Sequence, residues 1–299
     1  MMLQRLIRLA VSTGVIVLVL AVSDLADLGA RLRGADLRWL GACVAGLGAI
    51  TCLSALRWRW VARDLGLPLP YARSLREYFF ATLVNQVVPG GIAGDVARTM
   101  RVTQPGDLRR AAQSVVIERA TGQIATLMPM VLGLTASLAV PGGIAWPWWT
   151  GGALACLALL FCAACIVQSG RDDPDRRSFF APLWTTVRTR RQIALAVLIA
   201  FLLNFSFYAS ARAVGTILPP AAYFTVIPLV LTSMMIPMSV GGWGWREGAA
   251  AALFPLAGAT AAQGIAAGIA YGACMLVAAL PALAFLVRSP AADPIIKPS

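Results

Sequence analysis

The stretch Asn85-Gln86-Val87-Val88-Pro89-Gly90-Gly91-Ile92-Ala93-Gly94-Asp95-Val96-Ala97-Arg98 interrupts an apolar segment, residues 74–97, with basic residues at both ends. Arg73 leads into the segment, and Arg98, Arg101, Arg109 and Arg110 follow it. Short loops rich in arginine stay on the cytoplasmic side of a membrane, so a segment flanked by two of them does not read as one full crossing. Pro89 lacks an amide donor and stops a helix, while two consecutive glycines admit backbone that other residues avoid. The segment therefore reads as a broken helix that enters and leaves on the cytoplasmic side. A second stretch, Pro237-Met238-Ser239-Val240-Gly241-Gly242-Trp243-Gly244-Trp245-Arg246-Glu247, interrupts the apolar segment 223–257. That segment follows an uncharged loop and precedes a span that must run inward, so it reads as a broken helix dipping from the outside. The two glycine pairs lie about half the chain apart, and each follows a proline and precedes an ionisable cluster. Interrupted segments at matching places in two halves point to an inverted repeat with a binding site where the halves meet. The competing reading is two ordinary glycine-proline turns between full spans.

Working outward, the 299 residues are 59% hydrophobic and 13% charged, with a mean hydropathy of +0.76. A soluble chain carries about a quarter charged residues, so the composition excludes an ordinary soluble enzyme. Six segments approach the roughly 20 apolar residues that cross a bilayer core: 4–22, 39–57, 110–139, 146–168, 192–213 and 260–288. Arg57, Arg59, Arg63, Arg73 and Arg76 follow the second, and Arg171, Arg176, Arg177, Arg188, Arg190 and Arg191 follow the fourth. The connections 140–147 and 214–222 carry no charge. The expected fold class is thus an all-α integral membrane protein of about six full spans plus two broken re-entrant helices in an inverted repeat. It forms a single polytopic domain over 1–299, with halves 1–145 and 146–288 and a cytoplasmic tail at 289–299. The chain is expected in the inner (cytoplasmic) membrane with both termini on the cytoplasmic side, the first span acting as a retained signal anchor after Arg5 and Arg8.

The net charge of +12 comes from 24 arginines and one lysine against ten aspartates and three glutamates, and there is no histidine. The missing imidazole removes the commonest general base and metal ligand, so no metal, cofactor or catalytic residue is expected. The arginine excess serves orientation and anionic lipid rather than nucleic acid. All six cysteines (Cys43, Cys52, Cys156, Cys162, Cys165 and Cys274) fall in apolar runs and read as packing residues, not as a disulfide framework or a redox pair.

Charges at membrane depth cost about 2.5–3.5 kcal/mol each on insertion scales and tend to serve function. Those at issue are Asp95, Arg98, Glu118, Arg119, Arg246 and Glu247. Arginine offers a planar fork of donors that suits a phosphate, and helix starts after Gly91 and Gly244 would add amide donors. Arg98, Arg119 and Arg246 are expected to hold a phosphate and Asp95, Glu118 and Glu247 to position them. The alternative for each cluster is a structural ion pair. Arg57-Trp58-Arg59-Trp60 reads as an interfacial anchor. Gly264, Gly268 and Gly272 share one face of the last span and allow close helix contact, inside the protomer or between copies of a homo-oligomer.

The run from Asn85 through Pro89, Gly90, Gly94 and Asp95 to Arg98 resembles a signature of the lysylphosphatidylglycerol synthase transmembrane-domain family. Glu118-Arg119 resembles that family's next motif, and Pro237, Ser239, Gly241, Gly242, Gly244, Arg246 and Glu247 resemble its late one. The resemblance spans nearly the whole chain. It implies a flippase-like protein that moves an anionic, phosphate-bearing lipid between leaflets, with Asn85, Pro89, Gly90, Gly91, Asp95, Arg98, Glu118, Arg119, Ser239, Gly241, Gly242, Gly244, Arg246 and Glu247 at its lipid site. The sequence shows no soluble aminoacyl-transferase domain, so transport rather than lipid lysylation is expected. Relatives often carry aspartate where this chain has Gly122, which argues against a cationic lysyl head group as cargo. The other readings are a non-transporting membrane partner of a lipid-modifying enzyme, or an integral-membrane transferase using Asp95 or Glu118 as base.

Overall fold

The computed structural model describes residues 25–88, 91–103, 106–139, 144, 146–147, 150, 189–235 and 240–287. Among them there is no strand. A short helix α1 (Leu25–Arg33) leads into α2 (Leu37–Asp64), which Asp36 caps by accepting the Arg38 amide at 2.8 Å. There follow α3 (Tyr71–Val87), α4 (Ala93–Val102), α5 (Leu108–Ala139) and α6 (Arg190–Ala213). The chain continues through α7 (Pro220–Phe224), α8 (Val226–Ser233), α9 (Trp245–Leu253), a 3-10 turn (Phe254–Ala257), α10 (Ala261–Ala279) and α11 (Pro281–Val287).

Among the described residues, four helices are long and apolar enough to cross a membrane: Leu37–Asp64, Leu108–Ala139, Arg190–Ala213 and Ala261–Phe285, the last running from α10 into α11. At about 1.5 Å per residue, the 28 residues of α2 and 32 of α5 outreach a hydrocarbon core roughly 30 Å thick. These four match the expected spans at 39–57, 110–139, 192–213 and 260–288. The span expected at 4–22, almost all of that at 146–168, the tail at 289–299, and Cys156, Cys162 and Cys165 lie outside the described residues.

Both segments singled out by their glycine-proline interruptions are broken helices. The first ends at Val87, turns extended at Val88 (φ −100°, ψ 129°) and restarts at Ala93. Gly91 takes a φ of +65° on the way. The second stops at Ser233 and restarts at Trp245, with Gly241, Gly242 and Gly244 at φ +55°, +81° and +87°. A side chain resists this left-handed region, which is why the restart is glycine-rich. The two breaks come together. A Cβ on Gly241 would sit 2.7 Å from Gln86 Oε1 and 3.0 Å from the Gln86 carbonyl, so the bare backbone of the second break abuts the last turn of α3.

Packing elsewhere also depends on missing side chains. α2 lies along α6, where a Cβ on Gly46 would collide with the Ser206 hydroxyl. The main core gathers Phe207, Phe254 and Tyr271, with ring centroids 6.4 Å and 5.1 Å from Phe207, together with Val226, Ile227, Val230 and Ile265. A smaller apolar cluster of Trp58, Ala62, Leu67, Leu69, Ala111 and Val115 sits under the start of α5. Ile193, Val197 and Phe201 recur every four residues on one exposed face of α6, the pattern of a face turned to lipid.

The stripe Gly264, Gly268, Gly272 is buried within the chain. Its glycines face Ala250 and Phe254, Glu247, and Arg246 with Trp243, respectively. The close contact anticipated for this stripe is between α10 and α9, and no part of it is left for a second copy. The reason is geometric: spacing by four defines a face without saying which helix covers it.

Candidate site: a buried arginine-carboxylate cluster

α4 folds back on α3, and three features pin it there. A Cβ on Gly94 would fall on the Ala81 backbone carbonyl, so only glycine allows the two backbones to approach this closely. Asn85, near the end of α3, accepts the Gly94 amide at 2.7 Å and donates to Asp95 Oδ2 at 3.4 Å. At the far end of α4, Arg101 forks onto Glu77 of α3, with Nε and Nη2 at 2.6 Å and 3.1 Å from its two oxygens. The Asn85-to-Arg98 motif is therefore a device for laying a short polar helix against α3 and turning Asp95 and Arg98 inward.

Asp95 and Arg98 lie one turn apart, and Arg98 Nε donates to Asp95 Oδ1 at 3.0 Å. Arg98 Nη2 donates to Glu118 Oε2 of α5 at 2.9 Å. Its guanidinium carbon lies 4.6 Å from the Trp58 ring centroid and 4.5 Å from that of Tyr78, so cation-aromatic contact replaces part of the lost hydration. Arg57 of α2 donates from Nη2 to Glu118 Oε1 at 2.6 Å and to the Glu118 carbonyl at 2.7 Å. The Tyr78 hydroxyl donates to the same Oε1 at 3.3 Å. Arg119 of α5 reaches Asp95 Oδ2. One cluster thus ties α2, α3, α4 and α5 together through three cations and two carboxylates. Arg57, Arg98, Glu118 and Asp95 are all buried. Arg119 is the cluster's open edge, its side chain 43% exposed. Neighbouring helix residues point about 100° apart, so Glu118 faces the cluster core while Arg119 reaches it from the rim.

The second cluster is of another kind. Arg246 has no exposed surface. Its Nε and Nη2 both donate to Glu247 Oε1, at 2.9 Å and 2.5 Å. The other Glu247 oxygen accepts the Gly244 amide at 2.7 Å and so caps α9. The guanidinium lies 4.7 Å from the Trp243 ring and 5.7 Å from that of Tyr271. Arg246 Nη1 and Gln86 Nε2 approach the Met275 sulfur at 3.9 Å and 3.7 Å. This is one cation with one carboxylate, closed on itself, beside the contact between the two breaks.

Set against the residues read from sequence, Asn85, Asp95, Arg98, Glu118 and Arg119 come together in the first cluster, while Arg246, Glu247 and Gly244 form the second. Gly91, Gly241 and Gly242 shape the breaks between them. Pro89, Gly90 and Ser239 lie outside the described residues. Two expectations change. The helix-start amides of Gly94 and Gly244 are taken by Asn85 and Glu247 and so are not spare donors for a ligand. Arg57-Trp58 is no interfacial anchor: both residues are buried, and Trp58 donates to Ser114 Oγ at 3.0 Å. Arg59 and Trp60 stay half-buried, with Arg191 5.2 Å from the Trp60 ring. The helical period carried the missed signal, since Ser54, Arg57 and Val61 share the small-residue face of α2 and Arg59 does not. Tyr78, Glu77 and Arg101 were also not singled out from sequence.

No curated protein and no solved structure matches the chain. A family model described as the lysylphosphatidylglycerol synthase TM region matches residues 5–282. With its order of motifs realised as a helical membrane fold around a buried arginine cluster, the chain belongs to the lysylphosphatidylglycerol synthase transmembrane-region family.

Proposed function

We propose that this membrane protein moves an anionic, phosphate-bearing lipid, such as a phospholipid or an isoprenoid-phosphate-linked lipid, between leaflets of the inner membrane. The observation that carries the reading is the first cluster. Three arginines face two carboxylates, and the one exposed arginine lies on the rim of a helix pair whose outer residues are apolar. Ile92, Val96 and Met100 recur every four residues on the exposed side of α4, and Val116 is exposed one turn before Arg119 on α5. A lipid whose tails lie on that stripe has its head group at the level of Arg119. Arg119 can exchange Asp95 for a phosphate oxygen, and the head group then meets Arg98 and Arg57 in a medium where charge-assisted hydrogen bonds are strong. Asp95 and Glu118 hold the arginines while no lipid is bound and compete with the phosphate for release.

The second cluster is self-neutralising and sealed, which supports a structural role: it fixes α9 and α10 against the break at Gln86. In this reading the two broken helices are re-entrant from opposite faces and related by an inverted repeat, with both termini cytoplasmic. Contact with a lipid-modifying enzyme that supplies the cargo fits the same scheme.

The test is leaflet exchange in vesicles. Wild-type protein reconstituted with fluorescent phosphatidylglycerol should make all of the label accessible to an outside quencher, and Arg98→Ala should abolish this while eluting as folded protein. If the wild type leaves inner-leaflet label protected for every anionic lipid tried, the reading fails and a non-transporting membrane partner takes its place.

A further inference from the structure

Arg57 sits at the closed end of the first cluster with donors it does not use. Only its Nη2 is occupied, by Glu118. Its Nε and Nη1 are buried and meet no acceptor among the described residues, and the same is true of Arg98 Nη1. The side chains of Arg57 and Arg98 are 3% and 1% exposed. Both guanidinium groups are held by one carboxylate, Arg57 on Glu118 Oε1 and Arg98 on Oε2, so they lie side by side.

We propose that Arg57 is a further anion-binding residue, which together with Arg98 holds the singly charged phosphate of a phosphodiester through these three guanidinium nitrogens. The inference deepens the transport reading and rests on it for the lipid source of that phosphate. Two independent quantities agree on the ligand class. The first is charge: among the described residues Arg57, Arg98 and Arg119 face Asp95 and Glu118, so the cluster carries one net positive charge, which opens to the outside at the half-exposed Arg119. The second is hydrogen bonding: three buried donors need acceptors, and leaving such groups unmet is more costly than most hydrogen bonds are favourable. A phosphodiester supplies one negative charge and two free oxygens, each able to accept more than one donor. Arg57 is itself packed against Gly122. The nearest atoms to a Cβ built there are Arg57 Nη2 at 2.7 Å, with Cζ and Nη1 at 3.5 Å, so Arg57 lies over bare backbone of α5.

The position of Gly122 also provides the test. Gly122→Asp places a carboxylate within reach of Arg57, so the protein would supply its own anion. Arg57→Lys keeps the charge and the contact with Glu118 but loses the fork. Arg59→Ala, two residues along and outside the cluster, is the control. Binding to the purified full chain is measured by thermal unfolding in detergent and by native mass spectrometry, with phosphatidylglycerol, phosphatidylcholine and inorganic phosphate as probes. The wild type and Arg59→Ala should bind phosphatidylglycerol and not phosphatidylcholine. Gly122→Asp and Arg57→Lys should bind it about tenfold or more weakly, the loss expected for one charge-assisted hydrogen bond. A Cβ at 122 falls 2.7 Å from Arg57 Nη2 and must push that group aside, so Gly122→Ala is the steric reference: Gly122→Asp should bind phosphatidylglycerol more weakly than Gly122→Ala, which a purely structural Arg57 does not explain. If either variant that folds binds phosphatidylglycerol like the wild type, the assignment of Arg57 is wrong and the transport reading is untouched. If the wild type binds inorganic phosphate but no phosphatidylglycerol, the donors are correctly assigned and the lipid reading falls. Binding of neither overturns both.

Discussion

Replacing Glu118 with Gln should be the most damaging isosteric change in the first cluster. The carboxylate is 1% exposed and is the shared acceptor of Arg57, Arg98 and Tyr78, at 2.6 Å, 2.9 Å and 3.3 Å. Glutamine keeps the volume but offers one acceptor oxygen, turns an amide donor toward a guanidinium, and leaves the cluster with two uncompensated cations. Removing one partner of a buried pair costs about 3–5 kcal/mol, a large share of a total stability on the order of 5–15 kcal/mol. The assay is reversible unfolding in mixed micelles, with the midpoint read from tryptophan fluorescence. A double-mutant cycle with Arg57→Met provides the internal check. Arg57→Met removes one of the surplus cations, so the double variant should be less destabilised than the sum of the two single ones. A loss below about 1 kcal/mol for Glu118→Gln, the range of an exposed pair, would refute the view that this carboxylate neutralises a desolvated cluster, as would strict additivity in the cycle.

Other outcomes follow from the same geometry. Gly94→Ala should prevent α4 from seating on α3, because its Cβ meets the Ala81 carbonyl, whereas Gly48→Ala on α2, with no atom within 4 Å of the new Cβ, should be neutral or slightly stabilising; expression and monodispersity after purification separate the two. Arg98→Ala should stop lipid exchange, while Arg246→Met should lower the unfolding free energy by about 3–5 kcal/mol and leave the exchange rate per folded molecule near wild type, and a folded Arg246→Met protein without exchange would show that the second cluster also handles lipid. In a cysteine-free background, Ala221→Cys should react with an impermeant maleimide added outside, and Arg110→Cys only after the membrane is opened; the reverse result would overturn the assigned sidedness.

Much of the architecture was legible before any coordinates. Hydropathy locates a span because every residue of a crossing must tolerate lipid, and four of the expected crossings are helices at the expected positions. The two breaks were legible because proline and paired glycine change the backbone locally, whatever surrounds them. The pairing of Asp95 with Arg98 was legible too, since a spacing of three on a helix brings them onto one face.

The membership of the ion cluster was not. Arg57 and Glu118 are 61 residues apart in the chain, and nothing in the run Arg57-Trp58-Arg59-Trp60 distinguishes the arginine that turns inward from the one that stays near the surface, except a helical phase whose covered side only α5 defines. The glycine stripe of α10 poses the same problem in apolar form. Arg246 and Glu247 show it from the other direction. Their adjacency resembles that of Glu118 and Arg119, yet one pair closes on itself at a helix start while the other splits between the core and the rim of a site. Local backbone preference and solvation act on each residue where it stands, so sequence alone located the four described long apolar helices and the two breaks. Charge neutralisation acts across helices, over distances that exist only once the helices have packed, and tertiary structure alone decided which arginines remain in excess.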